Sequence, residues 1–459
     1  DLAPQQARER AIGEVMLEAR VARKATVITT ALLIAALLFW VVRHVVGLLA
    51  ETTEGEVSHL PYVWLYAFAF LFVEMLFCFT ERTYTTTPRQ DRQLAAARLV
   101  ANVPVYNEDP GALWQCLESM LRQTRPPDCV FVVDDGSNVD YTDIRARFFE
   151  AAQAASVEAR WERQPNAGKR HAQGRTIAAT PDADFYLTVD SDAVLDSRAI
   201  YEGLKPFANT KVQSVAGVVL VSNRVNLLTK LTNIWFTVGQ LVDRSMMSSV
   251  GGVLVNSGAL AFYRGGLLRE NLDGYLNETF FGRRIETSDD SMLTIYALLK
   301  GKAIQQPTSF SFTLMPERYS HHRRQYLRWM RGATIRAFWR FRYLPVHKPA
   351  YWLNLLGWLQ VVLSTCTFLI LFVYTPVVRP AVVPFFVIIP LLVGYGQGLR
   401  TFTIKRSDMR FRQQFYEWLL MPVVIFYSFF VLRALRFYAI FTCLETGWGT
   451  RQTVEVTAK

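Results

Sequence analysis

Long apolar runs bracket a block in which short apolar runs alternate with amphipathic ones. Residues 26–50 are almost wholly apolar until Arg43 and His44, and 60–79 are apolar around one carboxylate, Glu74. Beyond the block, 351–375 and 381–399 repeat the pattern, and 413–444 are apolar around Pro422, Arg433 and Arg436. Runs of about 20 apolar residues are long enough to cross a bilayer as helices. For 413–444, a single span and a hairpin or re-entrant segment fit the pattern equally.

Inside the block, from about 95 to 315, the period changes. Residues 98–104, 129–133 and 185–189 read as buried strands. Residues 111–123, 141–155 and 292–300 carry the helical period. Strands alternating with helices predict a mostly parallel twisted sheet covered by helices. Residues 317–347 are basic, aromatic and helix-prone, a composition suited to lying in a membrane interface.

Half of the 459 residues are apolar and 13% are aromatic, and the formal charge is +11. The positive charge falls in short clusters beside the apolar runs, as in cytoplasmic loops at an anionic leaflet. Arg82, Arg89 and Arg92 after the second run therefore put the N-terminus and the block in the cytoplasm. No basic helix interleaved with aromatics argues for nucleic acid as a partner. The five cysteines (Cys78, Cys116, Cys129, Cys366, Cys443) have neither zinc nor disulfide spacing and are expected as reduced thiols. The first apolar run follows about two dozen polar residues, so no cleavable signal peptide is expected.

The chemistry lies in acidic signatures that follow the predicted strands: Asp134-Asp135-Gly136-Ser137, Asp190-Ser191-Asp192, then Ser288-Asp289-Asp290 at a helix start. Ligands of open α/β sheets bind outside the carboxyl ends of the strands. Two carboxylates one residue apart can hold a hard divalent cation, and that cation a diphosphate. The loop from Val103 to Glu108 carries Tyr106, Asn107 and Glu108, which can stack on and hydrogen-bond a nucleoside; it also fits an ordinary turn capped by Asp109. Asn166-Ala167-Gly168-Lys169-Arg170 suits contact with a diphosphate or a solvated basic loop, and lacks Walker spacing. Asn256-Ser257-Gly258-Ala259-Leu260 is small enough for backbone to approach a sugar. Asp289 and Asp290 fit a helix cap, or a general base for a sugar hydroxyl. Gln325 and Arg328 share a helix face with Trp329 beside them, suited to a diphosphate and a sugar ring, or to interface anchoring.

In this order and between apolar spans, the signatures resemble the processive, membrane-integrated family-2 glycosyltransferases, which make cellulose, chitin and hyaluronan. Three stretches are most similar to class I hyaluronan synthases: Asn226 to Ile234, Tyr275 to Gly282, and Glu445 to Arg451 with its Trp-Gly-Thr-Arg tail. The resemblance implies a glycosyltransferase-A-like α/β cytosolic domain inserted between transmembrane helices. It divides the chain into a basic segment 1–25, two spans in 26–80, the transferase domain 81–316, interfacial helices 317–348, further spans or re-entrant helices 349–444 and a cytosolic tail 445–459.

Carried over, it implies that Tyr106, Glu108 and Asp134 bind uridine and Lys169 the diphosphate. Asp190 and Asp192 would serve Mg²⁺ or Mn²⁺ and nucleotide, and Asp290 would be the base. Gln325, Arg328 and Trp329 would hold diphosphate and acceptor, with Trp448 and Arg451 folding over the nucleotide. The implied protein is a multi-pass plasma-membrane enzyme using UDP-sugar donors, the growing polysaccharide and the lipid bilayer, with no nucleic acid and no required protein partner. Hyaluronan is the favoured product. A chitin-type, glucan-type or other alternating polymer, a non-processive lipid-acceptor transferase and a non-catalytic export subunit are the alternatives. Two departures touch sugar identity: Ser291 stands where these synthases carry arginine, and Ala259 where they carry proline.

Overall fold

The structure, a computed structural model, describes residues 17–51, 69, 72–378 and 383–445. Its centre is an eight-stranded sheet. The strands are β1 (Leu99–Val105), β2 (Cys129–Asp134), β3 (Glu158–Arg163), β4 (Phe185–Thr188), β5 (Val194–Leu195), β6 (Val212–Val221), β7 (Ala261–Arg264) and β8 (Lys302–Thr313). They lie in the order β3-β2-β1-β4-β7-β6-β8-β5. Six run the same way; only β7, antiparallel to β4 and β6, and β5, antiparallel to β8, are reversed.

The unbroken apolar runs fold as they do because both sheet faces are covered. Every residue of β1, β2 and β4 is buried, whereas the edge strand β3 is polar and half-buried. Side chains then sort by alternation. Leu99, Ala101, Val103, Val130 and Val132 pack with Leu113, Leu117 and Phe148 of the helices Pro110–Leu121 and Thr142–Ala154. Val100, Phe131 and Val133 pack on the other face with Ala172, Ile177 and Leu293 of the helices Lys169–Ala179 and Asp289–Lys300. Helices thus cover both faces. Because β2, β1 and β4 are neighbours, the loops leaving Asp134, Val105 and Thr188 open side by side.

Among the described residues three helices are long and apolar enough to cross a membrane: Lys24–His44, Pro349–Tyr374 and Met421–Phe441. Most of the expected run 60–79 lies outside the described residues. Beneath Lys24 the chain is pinned to the domain, since Ala19–Val21 pairs antiparallel with Ile404–Arg406 and the Ala19 amide donates to Asp196 (2.9 Å). Pro349–Leu369 starts against the domain, with Ala350 and Leu353 packed on Val253 and Ala303. Val383–Gly398 leads into Leu399 and Phe402, which pack on Val27 and Ala31 of the first apolar helix. Residues 421–441 form one continuous helical run, not a hairpin. Met421 at its start packs on Leu231 and Ile234, and Thr442 after its end accepts from Arg331 Nε (3.1 Å) of the helix Tyr319–Tyr343. The cysteines are free, with Cys78, Cys116 and Cys129 buried, Cys443 half-buried and Cys366 exposed.

Candidate active site

Three loops at the carboxyl edge of the sheet are stitched together by their own polar side chains. After β1 the chain turns through Tyr106, half-buried, and Asn107, whose φ is +46°. The Asn107 amide donates to Ser137 Oγ (2.9 Å), and Asn107 Oδ1 accepts from the Asn138 amide (2.8 Å). Glu108 Oε2 accepts from Ser191 Oγ (2.9 Å), and Asp109 caps the next helix through the Ala112 amide (2.9 Å). The serines of the first two acidic signatures therefore fix loop geometry.

The two acids after β2 differ in work. Asp134, buried, accepts from the Ser137 amide (2.9 Å) and stands 3.5 Å from Arg163 Nε. Asp135 accepts from Gln164 Nε2 (2.7 Å) and from the amides of Ala167 and Gly168 (both 2.9 Å). It moulds the loop that delivers Lys169. Gly136 has φ +78°, and a Cβ there would lie 2.9 Å from the Asn166 nitrogen, so only glycine fits where these loops cross.

Lys169 opens its helix at the centre of the site. Its Nζ donates to Asp190 Oδ1 (2.7 Å) and lies 3.2 Å from Asp289 Oδ2. Burial opposes the charge, but Asp190 and Asp289 hold the ammonium well above the usual lysine range. Gly258 completes the cluster. A Cβ on it would stand 3.1 Å from Lys169 Nζ and 3.2 Å from Asp190 Oδ1, so its missing side chain keeps a cradle open beside the carboxylate. Asp192, half-buried, takes Thr313 Oγ1 at 3.4 Å.

The acidic pair does not cap its helix. The cap position is Ser288, in left-handed conformation (φ +59°) and making no side-chain cap bond; both acids occupy the first turn, where the helix dipole favours negative charge. Burial works against an ionised Asp289, yet Lys169 and Arg170 hold it below the usual carboxylate range. For Asp290, burial and then the Asp289 charge push its carboxyl up to about 6. Adjacent acids with separated affinities for a proton are the arrangement of an ionised partner beside a poised base.

The support is built by residues to which the sequence reading gave no such role; Arg170, expected at a diphosphate or in a solvated loop, is instead buried against Glu278. Glu278 is gripped by Arg336 through both oxygens, by Arg170 Nη1 (2.6 Å) and by Trp339 Nε1 (2.7 Å). Burial disfavours its charge, but Arg336 and Arg170 more than offset this and its carboxyl lies below the usual range. The same arginines donate into the turn before the acidic pair: Arg170 Nη2 to the Thr287 carbonyl (2.7 Å) and Arg336 Nε to that of Ser288 (3.2 Å). Gln173 Nε2 reaches Asp289 at 3.3 Å and is itself held by the Tyr275 hydroxyl.

Arg336 belongs to the helix Tyr319–Tyr343, which also carries Gln325, Arg328 and Trp329. It approaches so closely at Gly332 that a Cβ there would lie 2.6 Å from that of Ser288. Trp329 stacks on Phe236 (centroids 6.0 Å, interplanar 22°), and Gln325 Oε1 is buried with no partner. Arg331, three residues after Arg328, ion-pairs with Glu445, and Arg283 Nη1 donates to the Leu444 carbonyl (3.0 Å). Trp448 and Arg451 lie outside the described residues.

Among the described residues no three His, Cys, Asp or Glu side chains form a metal-holding group. The donors available at Asp190 and Asp192 are two hard carboxylates beside the open cradle at Gly258. That fits Mg²⁺ or Mn²⁺, whose remaining positions a diphosphate and waters would fill.

Residues 97–332 match the family model described as glycosyltransferase like family 2. A hyaluronan synthase of Streptococcus pyogenes is 30% identical over 368 residues, 78% of this chain and 84% of that protein. An N-acetylglucosaminyltransferase of Rhizobium meliloti strain 1021 is 31% identical over 257 residues, 53% of this chain and 57% of that one. Among solved structures, the mannosyltransferase PcManGT of Pyrobaculum calidifontis, in complex with GDP-Man and Mn²⁺, covers 81% of this chain and 99% of its own. Its TM-score of 0.50 at 17% identity shows a shared glycosyltransferase-A-like fold.

Proposed function

Because the chain belongs to glycosyltransferase family 2, we propose that it is a processive, inverting polymerase that draws sugars from UDP donors and passes the product through its own membrane helices. The observation that carries this reading is the convergence of Lys169, Asp190 and Asp289 with the raised carboxyl of Asp290 at one sheet edge, under a helix bearing Gln325, Arg328 and Trp329.

In this reading Tyr106, Glu108 and Asp134 hold the nucleoside, and Lys169 meets the diphosphate. Asp190 and Asp192 hold Mg²⁺ or Mn²⁺, which when bound neutralises charge on the departing diphosphate. Asp290 takes the proton from the acceptor hydroxyl as its oxygen attacks the anomeric carbon. The bond from that carbon to the diphosphate oxygen breaks on the opposite side, UDP leaves, and configuration inverts. Arg328 faces the negative charge that develops on the leaving group. Asp289, kept ionised, holds Lys169 in place and keeps Asp290 poised.

The N-terminal end of the first span and the start of the helix Pro349–Leu369 both meet the transferase domain. This supports one shared side for them, the cytoplasm by charge. With Glu445 held at Arg331, the segment bearing Trp448 and Arg451 starts beside the Gln325–Trp329 helix, which suits closure over the donor.

Hyaluronan is the favoured product. Purified protein with Mg²⁺ or Mn²⁺ is given UDP-GlcNAc, UDP-GlcA or UDP-Glc, singly and in pairs. Polymer that needs both UDP-GlcNAc and UDP-GlcA and is degraded by hyaluronidase supports it; polymer from a single donor refutes it.

A further inference from the structure

Ser291 follows the acidic pair in the first turn of the helix Asp289–Lys300 and is buried. A serine inside a helix commonly donates to the carbonyl four residues back. Here that carbonyl belongs to Thr287, and Arg170 Nη2 (2.7 Å) and Arg336 Nη2 (3.4 Å) already donate to it. The Ser291 hydroxyl turns to Asp290 instead and donates to Oδ1 (3.1 Å), and the Ser291 amide donates to the same oxygen (2.6 Å). Among the described residues no hydrogen bond falls on Asp290 Oδ2.

The main chain of Asp290 is held as well. Its carbonyl accepts from Thr294 Oγ1 (2.7 Å) and from the Tyr263 hydroxyl (3.5 Å), and Thr294 Oγ1 accepts from the Asn256 amide (3.1 Å). The helix start is thereby tied to the stretch Asn256–Leu260, which meets Lys169 and Asp190 at Gly258. With the backbone and one carboxyl oxygen fixed, a single oxygen is left for chemistry. Hydrogen bonds to a carboxylate favour its ionised form, so the Ser291 amide opposes the rise that burial and the Asp289 charge impose on Asp290. The charges within electrostatic reach of that carboxyl are Lys169, Asp289 and Asp190, with Arg244, Arg336 and Arg340.

We propose that Ser291 is the positioning residue of the base: its amide and hydroxyl lock Asp290 Oδ1 and leave Oδ2 as the oxygen that takes the acceptor's proton. This rests on the reading of Asp290 as the base and deepens it. The proton passes from the acceptor hydroxyl to Oδ2. The hydroxyl oxygen forms its bond to the anomeric carbon, and the departing diphosphate keeps the electron pair of the bond that breaks. Oδ1 makes and breaks no covalent bond. A neutral donor also orients the carboxylate without setting a positive charge beside it, as an arginine at 291 would, so the base keeps its basicity.

The test uses the full chain in phosphatidylcholine nanodiscs and follows UDP release from UDP-GlcNAc, UDP-GlcA and UDP-Glc supplied together, across pH 4–8, with melting temperature as the folding control. Ser291→Ala should lower the plateau kcat about tenfold, leave the donor KM within about twofold and move the acid limb of kcat up by about one pH unit. Ser291→Thr puts a hydroxyl back and should return the limb towards the wild-type position. Ser291→Cys fills the space with a weaker donor and should move the limb part of the way, which keeps the test readable if the alanine variant does not fold. In an Asp290→Asn background, Ser291→Ala should change the residual rate by less than about twofold, because the two side chains act as one unit. A limb that stays put in the alanine and cysteine variants, or losses that add in the double variant, overturns the positioning role and leaves Asp290 as the base. Undiminished transfer by Asp290→Asn overturns the base itself. Wild-type protein that releases no UDP overturns the polymerase reading and the proposal with it.

Discussion

Arg336 holds Glu278 by both carboxylate oxygens, with Nη2 2.8 Å from Oε2, although the first side chain is fully buried and the second nearly so. Through the carbonyls of Thr287 and Ser288, to which Arg336 also donates, this pair sets the turn that presents Asp289 and Asp290.

Replacing Glu278 by Gln leaves Arg336 and Arg170 buried and uncompensated. Breaking a buried pair costs about 3–5 kcal/mol, so the melting transition should fall clearly. The freed positive charge faces Asp289 and Asp290, so the acid limb of kcat should move to lower pH. An unchanged transition and profile would remove Glu278 from this role.

Asp290 works as a base only when ionised, and its carboxyl is pushed up to about 6. The transfer rate should therefore drop as pH falls through about 6, while donor binding persists. Stability runs the other way. A folded-state value above the ordinary 3.8 means that the folded state binds the proton more tightly, so this group's contribution to stability weakens as pH rises from about 4 to 6. Rate and denaturation profiles measured across pH 4–8 check both signs.

Asp290→Asn keeps the shape of the side chain and removes the base. Transfer should fall by about 10²–10⁴-fold with UDP affinity nearly unchanged, as read by single-turnover assay and calorimetry. An export subunit without chemistry would be indifferent to this change.

At Gly332 a methyl group would lie 2.6 Å from Ser288 Cβ. Gly332→Ala should cost about 1–3 kcal/mol and lower kcat more than it raises the donor KM, since it pushes on the turn that carries the base. Equal kcat in the variant would sink the argument.

Asp190→Asn and Asp192→Asn should each raise the Mn²⁺ concentration for half-maximal activity by about tenfold or more. Mn²⁺ titration of UDP-dependent turnover reads this directly, and unaltered titration curves would mean that the cation is held elsewhere.

Three of the eight strands were legible because parallel strands buried on both faces are written as unbroken apolar runs; 129–133 is such a run. What periodicity could not give was direction: β7 is reversed between β4 and β6, and nothing in Ala261–Arg264 says so. The acids were visible one by one, their division of labour only in part. Asp135 looks equivalent to Asp134 in sequence, yet three hydrogen bonds make it the mould of the Lys169 loop. Glu278 and its arginines were illegible for another reason: Arg170 and Arg336 lie 108 and 58 residues from it, and charge alone does not reveal a partner at that range.

The short ribbon between Ala19–Val21 and Ile404–Arg406 sets an order of events during synthesis. The Glu18 amide and the Ser407 hydroxyl that close its end are 389 residues apart. At ribosomal rates of about 5–20 residues per second, the first strand waits roughly 20–80 s for its mate. Until then the N-terminal strand is an open edge beside a nascent membrane helix, so the ribbon is a late clasp, able to close only after the transferase domain and the helix Pro349–Leu369 have been made.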